Sequence, residues 1–166
     1  RLVGSEMCIR DRYIIEIKNS GELGMKGVDI LYNIIKERGI LEDVIFGSFH
    51  EEVSHYVDDN YPDFKRSATI KEVLSFYNAA NLNKKNFEAK YVALQIPYNM
   101  PFRLAANLGT AKVINYAHEH GIAVQYWTVN NEKDLAYLSQ MGADCIMTDY
   151  PDRLYKIVSE QSENAA

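Results

Sequence analysis

Short apolar runs alternate with amphipathic stretches along almost the whole chain, and this alternation restricts the fold more than any other feature. Apolar runs at 13–17, 44–49, 91–96, 123–129 and 145–148 read as strands, with a weaker one at 66–68. Helical periodicity fills the intervals. Over 25–38, Val28, Ile30, Leu31, Ile34 and Ile35 recur at helical spacing, and Gly39 supplies a stop. A helix is predicted over 50–59, ahead of Pro62. Thr69-Ile70-Lys71-Glu72 has the spacing of a capping box and opens a helix to about residue 80. Residues 81–90 form a polar connection, and Pro97 ends the following strand, leaving a loop to Leu108. Val113, Ile114 and Ala117 mark the inward side of a helix over 109–120. Asn131 can cap a helix over 132–141, and Pro151 suits the first turn of the last helix, to about 159. A frayed tail is expected over 161–166.

Repeated β–α units of about 25 residues imply a parallel sheet with helices outside it. Such a sheet is either open and doubly wound or closed into an eight-stranded barrel. An open sheet generally carries a glycine-rich phosphate loop after its first strand, whereas here Gly21 and Gly24 stand alone. The sequence therefore reads as α/β, an incomplete (β/α)8 TIM barrel with about six units present and the first two missing.

The formal net charge of -5 disfavours nonspecific binding to nucleic acid or to anionic membranes. No apolar run reaches the ~18 residues of a membrane span. Two cysteines, Cys8 and Cys145, make neither a disulfide framework nor a metal site, and Cys145 reads as a buried thiol. Residues 1–12 have no period, no capping logic and no apolar stretch of a signal peptide. They resemble adaptor read-through in translated sequence assemblies, or else form an ordinary disordered arm. The expected organisation is a non-native leader over 1–12, barrel over 13–160 and tail over 161–166, with a cytoplasmic location as the default.

The most informative local signal is Glu16-Ile17-Lys18. On a strand, alternate residues share a face, so Ile14, Glu16 and Lys18 point one way and Tyr13, Ile15 and Ile17 the other. The apolar set suits the helix layer, which turns the charged pair into the barrel. Burying charges is costly unless they are paired or bound. The carboxylate can hold a divalent cation through oxygen, and the lysine can neutralise a phosphate; a plain Glu–Lys ion pair is the alternative. Gln125 and Trp127 share a face on a later strand, where the indole either walls a cleft or packs a core. Asp149 either faces a pocket or caps the last helix. Ser48 and Gln95 lie at strand ends, where barrel active sites gather. His50 follows a strand end and can reach the cleft, while His55, His118 and His120 fall on helical, solvent-facing stretches. Gly-x-Ser-x-Gly and His-Glu-x-x-His are absent.

Taken in order, Glu16-Ile17-Lys18, Ser48-Phe49, Trp127-Thr128-Val129-Asn130, Gly142-Ala143-Asp144 and Thr148-Asp149-Tyr150-Pro151 resemble the glycerophosphodiester phosphodiesterase family. The resemblance covers residues 13 to about 158. It implies metal-assisted hydrolysis of a glycerophosphodiester to glycerol 3-phosphate and an alcohol such as choline or ethanolamine. It implies that Glu16 is a ligand to Mg2+ or Ca2+, that Lys18 lies near the phosphate as a catalytic group, and that Trp127, with Ser48 and Gln95, binds substrate. The family's His-Arg-Gly start, its acidic pair and its second catalytic histidine have no counterpart here, so this chain by itself is expected to be inactive. A barrel that keeps the scaffold but only binds, or another phospholipase-like phosphodiesterase, is the alternative.

Overall fold

In the computed structural model, residues 12–98 and 108–164 are described. The expected leader, with Cys8, falls outside them apart from Arg12, as does most of the expected loop before Leu108. The chain divides into two compact units, Arg1–Thr69 and Ile70–Ala166.

The first unit contains β1 (Tyr13–Glu16), α1 (Gly21–Glu37), β2 (Val44–Gly47) and α2 (Glu51–Asn60). A short 3-10 turn, Leu41–Asp43, leads into β2. β1 and β2 are parallel, in a register running from Tyr13 opposite Val44 to Glu16 opposite Gly47. On its other side β2 meets the predicted weak strand, reduced to a parallel bridge between Phe46 and Arg66. The core joins Val28, Tyr32 and Ile35 of α1 to Val44 and Phe46 of β2, Val53 and Val57 of α2, and Phe64. Ile15 and Ile17 pack against it, so the apolar side of β1 does face the helices. Burying a residue such as Val28 or Phe46 contributes about 1.5–3 kcal/mol relative to leaving it exposed.

α1 departs from its sequence reading in two ways. It begins at Gly21 rather than Met25, because Gly24 is required for packing rather than acting as a breaker. A Cβ at Gly24 would strike the Asn19 carbonyl and lie 2.7 Å from Val53 Cγ2. Ile30 and Ile34, which helical spacing groups with Val28, Leu31 and Ile35, are 62% and 44% exposed. The buried stripe is instead Gly24, Val28, Tyr32 and Ile35, one narrow face of the helix. Gly39, at φ +67, adopts the left-handed conformation that ends the helix, as predicted.

Tyrosines on α1, on α2 and just beyond it converge on two carboxylates. Tyr56 and Tyr61 both donate to Asp29 Oδ1, at 2.9 and 2.7 Å. Tyr32 donates to Asp63 at 2.8–2.9 Å, and its ring lies 4.2 Å from that of Tyr61. Donation to Asp29, followed by burial, raises the Tyr61 phenol from 10.0 to about 12. The hydrogen bond to Asp29 also raises Tyr56. The unfolded chain ionises these phenols near 10, so their contribution to stability is complete below that pH and is lost as pH rises through about 12. Phenolate absorbance is expected to show a late-titrating class that Tyr61→Phe reduces by one phenol. Its titration at the ordinary phenol pH in the folded protein would contradict the assignment.

The second unit contains α3 (Ile70–Asn81), β3 (Ala93–Pro97), α4 (Ala111–Glu119), β4 (Ala123–Trp127), α5 (Glu132–Gln140), β5 (Cys145–Ile146) and α6 (Pro151–Asn164). Its sheet is parallel in the order β3-β4-β5, with Gln95 opposite Gln125 and Gln125 opposite Cys145. Leu94, Ile96, Val124 and Tyr126 are buried on one face; alternation puts Gln95, Gln125 and Trp127 on the other. Pro97 is the last residue of β3 rather than its stop, and the Tyr98 amide donates the next bond, to the Trp127 carbonyl at 2.9 Å. Asn131 caps α5 as predicted, accepting from the amides of Lys133 and Asp134 at 2.9 and 3.4 Å. The last helix continues to Asn164 where a frayed tail was expected. Gln161 ties it to α5 by donating to the Ala136 carbonyl at 3.2 Å and accepting from the Ser139 hydroxyl at 2.9 Å.

Among the described residues every strand pair is parallel and helices follow the strands, which is the predicted α/β class. Among the described residues, no helix is long and apolar enough to cross a membrane.

Candidate active site

In the first unit, the parallel register brings the C-terminal ends of β1 and β2 side by side. This is the edge at which α/β sheets place their chemistry. Glu16 ends β1, Lys18 follows two residues later, and both side chains are exposed. Among the described residues, no ion pair joins them, so the plain Glu–Lys pair is not what the structure contains.

Ser48 is buried, and its hydroxyl works in both directions. It donates to the Ile17 carbonyl at 3.0 Å and accepts from the His50 amide at 3.2 Å. His50 Nε2 lies 3.1 Å from the Lys18 carbonyl, to which it donates. β2 therefore ends at Gly47 rather than continuing to Phe49, because Ser48 turns towards β1. Glu52 accepts from the Gly21 amide at 3.3 Å. Hydrogen bonds from its own amide and from that of Gly21 hold its carboxyl below the ordinary range.

In the second unit, Gln95 donates to the Gln125 side-chain oxygen at 3.1 Å. Gln125 is buried, while Trp127 is half-buried at the end of β4. The Trp127–Thr128 peptide bond is cis. Cys145, expected to be buried, is half-buried, because it lies on the short strand β5 at the edge of this sheet, next to β4. Burial, then the neighbouring Asp144 carboxylate, raises its thiol pKa.

The motifs at the ends of β4 and β5 meet through Asn130. Its side-chain oxygen accepts from the Thr148 hydroxyl at 3.1 Å and from the Asp149 amide at 3.0 Å. Its amide donates to Asp149 Oδ2 at 2.7 Å. Asp149 is therefore held by Asn130 and lies one residue too early to cap α6, which begins at Pro151. Asn130→Ala is expected to cost about 1–2 kcal/mol in urea unfolding. Asn130→Asp should cost more, since it sets a second carboxylate against Asp149; equal stability of the two variants would contradict this reading.

Asp144 of the Gly-x-Asp turn also has a structural role. Its Oδ2 accepts from the Val124 amide at 2.7 Å and from His118 Nε2 at 2.9 Å. His55 and His118 are exposed as expected, but His120 is half-buried. It stacks on Tyr116 at 4.3 Å and donates to that residue's carbonyl at 2.8 Å.

The structure thus gathers Glu16, Lys18 and Ser48 at one strand end, and Gln95 beside Gln125 on the strand neighbouring that of Trp127. Sequence reasoning did not anticipate the His50 contact or the Asn130 node. The alternation that pairs Gln125 with Trp127 was the one visible signal for Gln125. Mg2+ and Ca2+ need about six or more oxygen ligands, several of them from carboxylates or water. Glu16 offers one carboxylate, and among the described residues no group of three or more His, Cys, Asp or Glu side chains could hold an ion. These residues alone do not fit a divalent metal.

Glu16 and Lys18 thus lie at the C-terminal end of a strand in a parallel α/β chain, the edge at which such folds carry their functional groups. The profile of the Glycerophosphoryl diester phosphodiesterase family matches residues 10–153, and the chain belongs to that family. It is 30% identical over 127 residues to the Bacillus subtilis (strain 168) protein named Putative glycerophosphodiester phosphodiesterase YhdW, covering 71% of this chain and 50% of that protein. Over 51 residues it is 33% identical to the Mus musculus Lysophospholipase D GDPD3, covering 31% of this chain and 16% of that protein. Among solved structures, it is similar to a glycerophosphodiester phosphodiesterase from Agrobacterium tumefaciens, with a TM-score of 0.64 and 17% identity, covering 89% of this chain and 56% of that one. It is likewise similar to one from Parabacteroides distasonis, with a TM-score of 0.61 and 18% identity, covering 91% and 58%. These likenesses place the fold in the TIM-barrel class. The chain spans about half the length of YhdW.

Proposed function

We propose that these residues belong to an enzyme that hydrolyses a glycerophosphodiester to glycerol 3-phosphate and an alcohol such as choline or ethanolamine. The observation that carries this reading is the placement of Glu16 and Lys18, unpaired with each other, at a strand end held by Ser48 and His50, in a chain of this family. In the reaction, a water oxygen bonds to phosphorus, the phosphorus–oxygen bond to the alcohol breaks, and the alcohol leaves with a proton. Lys18 stabilises the charge that develops on the phosphoryl oxygens. In the second unit Trp127 offers substrate an aromatic face and Gln95 an amide, while in the first Ser48 acts through the strand end that it holds.

Glu16 would supply one oxygen to Mg2+ or Ca2+, which would act as a Lewis acid on the phosphoryl group, and the other ligands would have to come from outside the described residues. We accordingly propose that residues 13–160 are the later part of a barrel whose first two β–α units precede them, and that this piece by itself does not turn over substrate. The match to a lysophospholipase D favours lysophosphatidylcholine as the second substrate to try.

The test is to extend the coding sequence upstream of Tyr13 and follow glycerophosphocholine by phosphorus NMR with Mg2+ and with Ca2+. The expected product is glycerol 3-phosphate. Phosphocholine as product contradicts the reading in favour of another phosphodiesterase that cuts the opposite ester bond; inactivity with both metals and both substrates leaves a non-catalytic binding domain in its place.

A further inference from the structure

We infer that His50, together with Ser48, is a positioning residue for Lys18, an inference that rests on the phosphate role proposed for that lysine. The β1–β2 ladder ends where the Ile17 amide donates to the Gly47 carbonyl at 3.0 Å. Beyond that point the next two carbonyls of the departing strand are held by side chains rather than by backbone. Ser48 Oγ takes Ile17 and His50 Nε2 takes Lys18, at 3.0 and 3.1 Å.

Lys18 leaves the sheet on a short span that is fixed at both ends. Behind it, α1 begins at Gly21, and the missing Cβ of Gly24 lets that helix close against the Asn19 carbonyl. Holding the carbonyls on either side of the Lys18 Cα fixes the two peptide planes that meet there, and hence the direction of its Cα–Cβ bond.

The choice of residue at position 50 supports this assignment. His50 is the N-cap of α2, where Ser, Thr, Asp or Asn would normally accept from the first turn. Its side chain makes no such cap and reaches across to β1 instead. The helix gives up a cap bond, and the residue bearing the lysine gains a fixed carbonyl.

The experiment is carbon and nitrogen NMR of the whole 166-residue chain, titrated with sn-glycerol 3-phosphate as the probe. In the wild-type chain the Lys18 signals are expected to shift as the probe is added. His50→Ala should weaken the response by about fivefold, the loss expected for one hydrogen bond. The Lys18 carbonyl signal should move, and residues 17–19 should become more mobile. His50→Gln, whose amide nitrogen can donate from nearly the same place, should restore both affinity and carbonyl shift, which a general loss of packing would not allow. His50→Asn, too short to reach Lys18, takes the place of the alanine variant if that fails to fold. A His50→Ala chain whose Lys18 carbonyl shift, mobility and affinity match wild type overturns the inference. If the wild-type chain ignores the probe while His50→Ala still frees residues 17–19, the positioning contact stands and the phosphate role of Lys18 falls.

Discussion

Asp58→Ala is expected to lower the unfolding free energy of the Arg1–Thr69 unit by about 3–5 kcal/mol, the usual cost of removing one partner of a buried ion pair. The Arg66 side chain is 1% exposed, and it donates from Nε to Asp58 Oδ1 at 2.6 Å and from Nη2 to Oδ2 at 2.8 Å. This two-pronged geometry is the strongest form of the arginine–carboxylate contact. A guanidinium cannot shed its proton to escape burial, so without the carboxylate its full charge stays in the interior. Its Nη1 also donates to the Ser67 carbonyl at 3.1 Å. The effect reaches the sheet, because Arg66 forms the bridge to Phe46. Replacing both partners, as Asp58→Asn with Arg66→Met, should cost far less than either single change, since no uncompensated charge remains. Urea unfolding of the two single variants and the double variant tests this. A double variant as unstable as the sum of the singles would show that the pair matters through shape rather than charge.

The second large effect is on activity. In the upstream-extended protein, Lys18→Ala is expected to reduce turnover of glycerophosphocholine by about 10²–10³-fold, the range for losing one group aimed at transition-state charge. The phosphodiester is a monoanion, and attack by water concentrates further charge on the phosphoryl oxygens. A fixed ammonium therefore favours the transition state over bound substrate. The loss should appear mainly in kcat, with little change in KM. Because Lys18 is exposed and makes no ion pair with Glu16, its removal should leave unfolding unchanged. Lys18→Arg keeps the charge but changes its shape, and should recover part of the rate. A loss confined to KM would mean that Lys18 only binds the ground state.

Much of this architecture can be read from the residues. Alternating apolar runs gave the parallel α/β class, and Asn131 and Gly39 marked helix ends because their chemistry is local. The start of α1 could not be read, because Gly24 looks like a breaker until the Asn19 carbonyl and Val53 are packed against it. Nor could the exposure of Ile30 and Ile34 be foreseen. Val28, Ile30, Leu31, Ile34 and Ile35 cover too wide an arc for periodicity to select one face.

The site divides in the same way. Glu16-Ile17-Lys18 stood out because alternation is a property of one strand. The contact of His50 with Lys18 depends on the register that sets Glu16 opposite Gly47, across 32 residues of sequence. The Asn130 node likewise requires the ends of β4 and β5 to meet. Interactions fixed by register are invisible to a reading that treats each segment separately.

The central claim, that Glu16 is part of the machinery of a metal-assisted phosphodiesterase, is tested most directly by one comparison. Release of glycerol 3-phosphate from glycerophosphocholine would be measured against Mg2+ and Ca2+ concentration, for the upstream-extended protein and for its Glu16→Gln variant. The account predicts saturable, metal-dependent release that Glu16→Gln abolishes or moves to much higher metal concentration, with unfolding unchanged. Equal activity and equal metal dependence in the two proteins would contradict it.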